Sequence, residues 1–116
     1  MKHYLCVFTG TPDAMAAWQA LAEDERTRRQ DAGMAAWKHW AESRARDIVQ
    51  AGGPLSKTKR VSKDGISDIR NNLAAFVVVQ AESQDAAARM FIDHPHFTLF
   101  PGDGVEVMEV LPVPGA

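Results

Sequence analysis

The chain has 116 residues, enough for one domain (1–116) whose core needs no disulfide staple. Charged residues make up 24% and the net charge is −2 at pH 7, which excludes a global field for nucleic acid or anionic membrane. One cysteine, Cys6, excludes an intrachain disulfide and fits a reducing cytoplasm, while no apolar run approaches the ~20 residues that cross a bilayer.

The segment "HYLCVFT", His3 to Thr9, is rich in aromatic and β-branched residues and predicts a strand. Cys6 lies inside this apolar run, where a buried, inert thiol is expected. "GTPD" starts a helix, with Thr11 as cap and Pro12 at the first helical position. The helix "DAMAAWQALAED" turns Met15, Trp18, Leu21 and Ala22 to one face. "ERTRRQDAG" reads as a polar connection or a helix continuation that Gly33 weakens. Beyond it Met34, Trp37, Trp40, Ala41 and Ile48 fall near one helical stripe.

Gly52, Gly53 and Pro54 end helix and turn the chain extended. Asp64-Gly65 predicts a tight hairpin within "SKTKRVSKDGISDIRNN", whose charges read as a solvated arm. "LAAFVVVQAES", Leu73 to Ser83, is a strand apolar on both alternating sets, so both of its faces are expected to be covered. Ser83 caps a second helix, "QDAAARMFIDH", which Pro95 stops. "PGDG" is a turn, and "VEVMEVL", Val105 to Leu111, is the last strand.

This order is the β-α-β-β-α-β pattern of an α+β, ferredoxin-like protomer with an antiparallel four-stranded sheet. Helices cover one sheet face only. The apolar second face predicts a sheet-to-sheet homodimer, since each exposed Val or Phe forgoes ~1.5–3 kcal/mol of burial.

The chain resembles the YCII-related proteins, within the group of dimeric α+β barrels. The likeness runs through "YLCVF", "GMAAWKHWAE", "IVQAGGPL", "KRVSKDGISD", "VVVQAESQDAA", "DHPHF" and "VEVMEVLPVPG". It implies a ferredoxin-like protomer, a sheet-to-sheet dimer and kinship with cofactor-independent enzymes acting on small, often aromatic, molecules. Some relatives carry Asp-Gly-Pro-Phe ahead of the third strand. Here that region reads "SDIRNN", so Asp68 stands alone without the Gly-Pro-Phe. The family's pairing of a histidine with an aspartate finds its nearest match in Asp93, His94 and His96.

Two readings of "DHPHF" are open. In one, His94 is a general acid or base at near-neutral pH, tuned by His96 or Asp93, in a cavity between helices and sheet. In the other, His94 merely finishes the helix and His96 packs locally. A metal held by His94, His96 and either Asp93 or His39 lacks a recognisable signature, so no metal is expected. Tyr4, Trp37, Trp40, Phe8, Phe76 and Phe97 are candidates for an aromatic pocket wall or plain core, and Ser56 with Lys57 for a carboxylate contact. No nucleotide or phosphate-loop fingerprint occurs, so no cofactor is expected. The partners expected are a second copy and a small molecule. The alternative is a non-catalytic binding or accessory protein.

Overall fold

The computed structural model describes residues 1–115. Strand β1 (Lys2–Gly10) leads into helices α1 (Pro12–Ala20) and α2 (Glu23–Ser43), then strand β2 (Ile48–Pro54). A hairpin of β3 (Thr58–Ser62) and β4 (Gly65–Ile69) interrupts the path to β5 (Leu73–Ala81). Helices α3 (Gln84–Arg89) and α4 (Pro95–Thr98) precede the last strand, β6 (Gly102–Glu109). The main sheet has the order β2-β5-β1-β6, and every neighbouring pair is antiparallel. With the hairpin set aside, this is the ferredoxin-like α+β arrangement that the pattern predicts.

Alternation along the strands decides what each face does. Tyr4, Cys6 and Phe8 of β1, with Ala75, Val77, Val79 and Ala81 of β5, point to the helices and form the core. Trp37, Trp40 and Ile48 pack against it. Cys6 is fully buried there, and burial pushes its thiol up to about 12, so it is an inert packing residue. The opposite face carries Leu5, Val7, Phe76, Val78 and Met108, over which no helix lies; Met108 is exposed, Leu5, Phe76 and Val78 are half-buried and Val7 is buried among its neighbours.

The helices depart from expectation in instructive ways. Thr11 and Ser83 accept cap hydrogen bonds from the amides of Ala14 and Ala86, as predicted. However, α2 runs unbroken through Gly33, which is its buried residue. A Cβ at Gly33 would lie 2.5 Å from the Phe100 ring, so the glycine lets an aromatic side chain rest on the helix backbone. Gly33→Ala is therefore expected to destabilise the protein by about 1–3 kcal/mol through overpacking, despite the ~1 kcal/mol that Ala ordinarily gains in a helix. Urea melts would check the sign, and the same change in a Phe100→Ala background should revert to stabilising.

The stripe is also shorter than expected. Met34 is 61% exposed, and Ile48 belongs to β2. Helix α3 ends at Arg89, five residues before His94, because the chain turns at Met90–Asp93. Pro95 opens α4 rather than closing α3. The last strand begins at Gly102 and ends at Glu109.

The β3–β4 arm pairs with itself alone, in the register Val61↔Ile66, Lys59↔Asp68. Its turn is Lys63-Asp64, with Gly65 at φ 109 as the first residue of β4. The molecule measures 54 × 43 × 18 Å with a radius of gyration of 16.1 Å. A compact domain of this length has about 13 Å. A nine-residue strand spans only about 30 Å. The excess is an arm that projects past the end of the sheet and a face left bare.

Strand β2 is irregular. Its pairing with β5 shifts register twice, between Ile48 and Gln50 and between Gln50 and Gly53. Gly52 sits at φ 64, where a Cβ would collide with the Phe76 carbonyl.

Candidate functional site

The helix side of the sheet gathers the two histidines into an aromatic enclosure. After α3, the turn at Met90–Asp93 and the rigid φ of Pro95 hold His94 at the N-cap of α4. Its Nδ1 accepts the backbone N–H of His96 at 3.0 Å, so the neutral ring carries its proton on Nε2. His94 is 1% exposed. Ring centroids of Trp37, Trp40 and Phe8 lie 4.6, 4.7 and 5.1 Å from it, with Trp37 perpendicular. Among the described residues, the Nε2 of His94 has no hydrogen-bond partner. Burial first, then the neighbouring His96, pushes the His94 pKa down from 6.5 to about 4.

His96 is buried too, but it is satisfied. Its Nε2 lies 2.6 Å from the Thr9 carbonyl, to which it donates. The Thr9 hydroxyl in turn donates to Asp103 at 2.7 Å. Burial lowers the His96 pKa, while the Thr9 carbonyl and the Asp103 charge pull the other way and only partly offset it. The ring lies against Gly102 so closely that no Cβ fits there. The histidines meet through ring and backbone, not ring to ring, so they form no proton relay between themselves. Both are neutral at pH 7.

The residues singled out in the sequence divide into two sets. Tyr4, Trp37, Trp40, His94 and His96 lie together on the helix side, with Tyr4 and Phe8 deep in the core. The Trp40 indole donates to the Met90 carbonyl at 2.7 Å, which ties α2 to the turn before His94. Asp93 is exposed in a left-handed conformation, φ 58, and makes no hydrogen bond to either histidine. Phe97 is 36% exposed on α4. Phe76 lies on the opposite sheet face. Ser56 lines a surface hollow of about 310 Å³ at the base of the arm, with Lys57, Thr58 and Asn71. A second hollow, of about 450 Å³, lies between Met1–His3 and Glu109–Pro112. Neither hollow reaches His94 or His96. Among the described residues, no group of three His, Cys, Asp or Glu is placed to hold a metal ion.

Sequence reading missed Thr9, Asp103, Gly102 and Phe100. "PGDG" carries the signal in retrospect. It reads as a plain turn, but Gly102 clears the His96 ring and Asp103 reaches Thr9.

No family model matches the chain, and no curated protein does. A solved structure is similar to it across nearly the whole length. This is 5-chloro-2-hydroxyhydroquinone dehydrochlorinase from Burkholderia phenoliruptrix AC1100, in complex with 2,5-dihydroxybenzoquinone. The TM-score is 0.57 at 18% identity, covering 94% of this chain and 93% of that one. At that identity the likeness concerns the fold. No helix among the described residues is long and apolar enough to cross a membrane.

Proposed function

We propose that the protein binds a small cyclic or aromatic molecule and performs cofactor-independent proton-transfer chemistry on it. The observation that carries this reading is the Nε2 of His94, buried within an aromatic enclosure and left without a partner. A buried donor without an acceptor costs about 1–3 kcal/mol, and such groups cluster where a ligand supplies the missing atom. A ring bearing a hydroxyl or carbonyl oxygen has the right chemistry. Its plane would stack on Trp37 and Trp40, and its oxygen would accept from Nε2. A neutral imidazole there donates from Nε2 and polarises a carbonyl or hydroxyl oxygen, easing proton loss from the ring to water, without carrying a full charge. The fold likeness to a protein crystallised with a dihydroxybenzoquinone supports this substrate class. The reducing cytoplasm is the compartment we assign, on the lone cysteine.

Because His94 is closed off in the protomer, entry requires α4 to part from α2. That closure favours the second reading, a non-catalytic binding or accessory protein, and one experiment separates the two. His94→Asn keeps an acceptor at the N-cap but removes Nε2. In a thermal-shift screen with hydroxylated benzenes, quinones and small cyclic acids, the wild type is expected to gain melting temperature with at least one class. His94→Asn should lose the gain while retaining its own melting transition. No shift for the wild type with any of them would leave the accessory reading.

We further propose a homodimer formed through the bare sheet face of Leu5, Val7, Phe76, Val78 and Met108. Equilibrium sedimentation at micromolar concentration should return twice the chain mass. A monomer would defeat this assignment.

A further inference from the structure

Two unpartnered apolar features lie at opposite ends of the sheet. One is the tip of the β3–β4 arm. Val61 and Ile66 face each other across the hairpin on one side, at 75% and 70% exposure. The arm leaves from the end of β2 and returns to the start of β5, the end at which β1 finishes with Thr9↔Leu73. The other is the hollow between the start of β1 and the end of β6, where Met1, Val110, Leu111 and Pro112 supply an apolar wall and Lys2, His3 and Glu109 a polar one. It lies at the end where Tyr4 pairs with Glu109, and Leu111 there is 69% exposed.

We infer that in the dimer each arm tip seats in the hollow of the second copy. This rests on the sheet-to-sheet dimer proposed above. Packing two bare faces about a two-fold axis perpendicular to the strands lays the arm end of one copy over the hollow end of the other. The contact is then made twice, as an isologous interface requires. An isolated two-stranded hairpin is marginal in water, so an arm held to its own body only at its base, where Asn71 donates to Thr58, needs a support at its tip. Charge favours the same seating. Residues 57–70 carry five Lys or Arg against two Asp, a net +3, so the rest of a chain of net −2 carries −5. Lys59 is paired with Asp68 at 2.7 Å, which leaves Arg60 and Lys63 without an ion pair among the described residues. Glu109, on the rim of the hollow, has only a loose pairing with Lys2 at 3.8 Å. Seating the tip would bring these opposite charges together at a partly desolvated edge.

The experiment mixes two single-cysteine variants, Ile66→Cys and Leu111→Cys, under mild oxidation. Cys6 is buried and stays silent. The expected product is a mixed disulfide between the two variants, with little self-linked Ile66→Cys. Self-linking of Ile66→Cys in preference would place both tips at one end and overturn the inference. In parallel, Ile66→Asp, an exposed change that leaves the fold intact, should weaken dimerisation at least tenfold by sedimentation. A dimer of unchanged affinity would also overturn the inference and leave the sheet-face dimer standing. A monomeric wild type would overturn both.

Discussion

Phe8→Ala is expected to destabilise the protein by about 3–5 kcal/mol, the range for deleting a fully buried aromatic ring. Phe8 is 1% exposed, and the ring centroids of Trp37, His94, His96 and Phe91 lie 4.8, 5.1, 5.1 and 5.8 Å away. Phe8 thus packs against both histidines, against Trp37 of α2 and against Phe91 in the turn after α3. The cost is therefore more than lost transfer energy. The cavity would open directly against the imidazoles, whose neighbours are stiff rings that cannot collapse into it. Chemical denaturation at pH 7 gives the number. Phe8→Leu, which keeps most of the volume, should recover the larger part. A loss under 1 kcal/mol would mean that the enclosure is looser than its ring contacts imply.

The second large effect is one of pH. The folded protein holds His94 neutral, with a pKa of about 4 against an ordinary 6.5. The unfolded chain therefore takes up its proton first as pH falls. Stability from this group is fully present above pH 6.5 and drains away down to about pH 4, below which it changes no further. The difference amounts to about 3 kcal/mol at pH 4. His96 is lowered for the same primary reason, burial, and adds in the same direction. Urea midpoints from pH 7.5 to 4 should fall monotonically. His94→Asn should fall less steeply over the same range, since it removes one of the two groups. Parallel profiles for wild type and variant would show that the imidazole takes up its proton without leaving the fold.

The strands were readable because their signals are local. β1 and β5 are dense in aromatic and β-branched residues, and Thr11, Pro12 and Ser83 cap by rules that span three residues. The bare sheet face was readable as well, since both alternating sets of β5 are apolar. For the same reason β5 did not say which set meets the helices, and Phe76 was grouped with residues on the opposite face. Gly33 misled because helix propensity is local, whereas its reason for being glycine is Phe100, far along the chain. His94 showed its chemistry but not its place. A histidine before proline reads equally as a helix terminus or as a site. Only the packing of α2 against α4 decides that it is an N-cap among indoles. Asp103 was hidden in a turn-like tetrapeptide because its partner, Thr9, lies at the far end of the sequence.

The broken pairing of β2 has a further effect, on how copies of this molecule avoid one another. An outer strand with regular, free amides is a template on which identical chains can line up side by side without limit. Here the outer strand slips register twice, bends at Gly52 and ends in Pro54, which has no amide to offer. A neighbour arriving at the β2 edge would find no continuous ladder to extend. The chain can therefore leave one sheet face uncovered by helix while its β2 edge resists side-by-side growth.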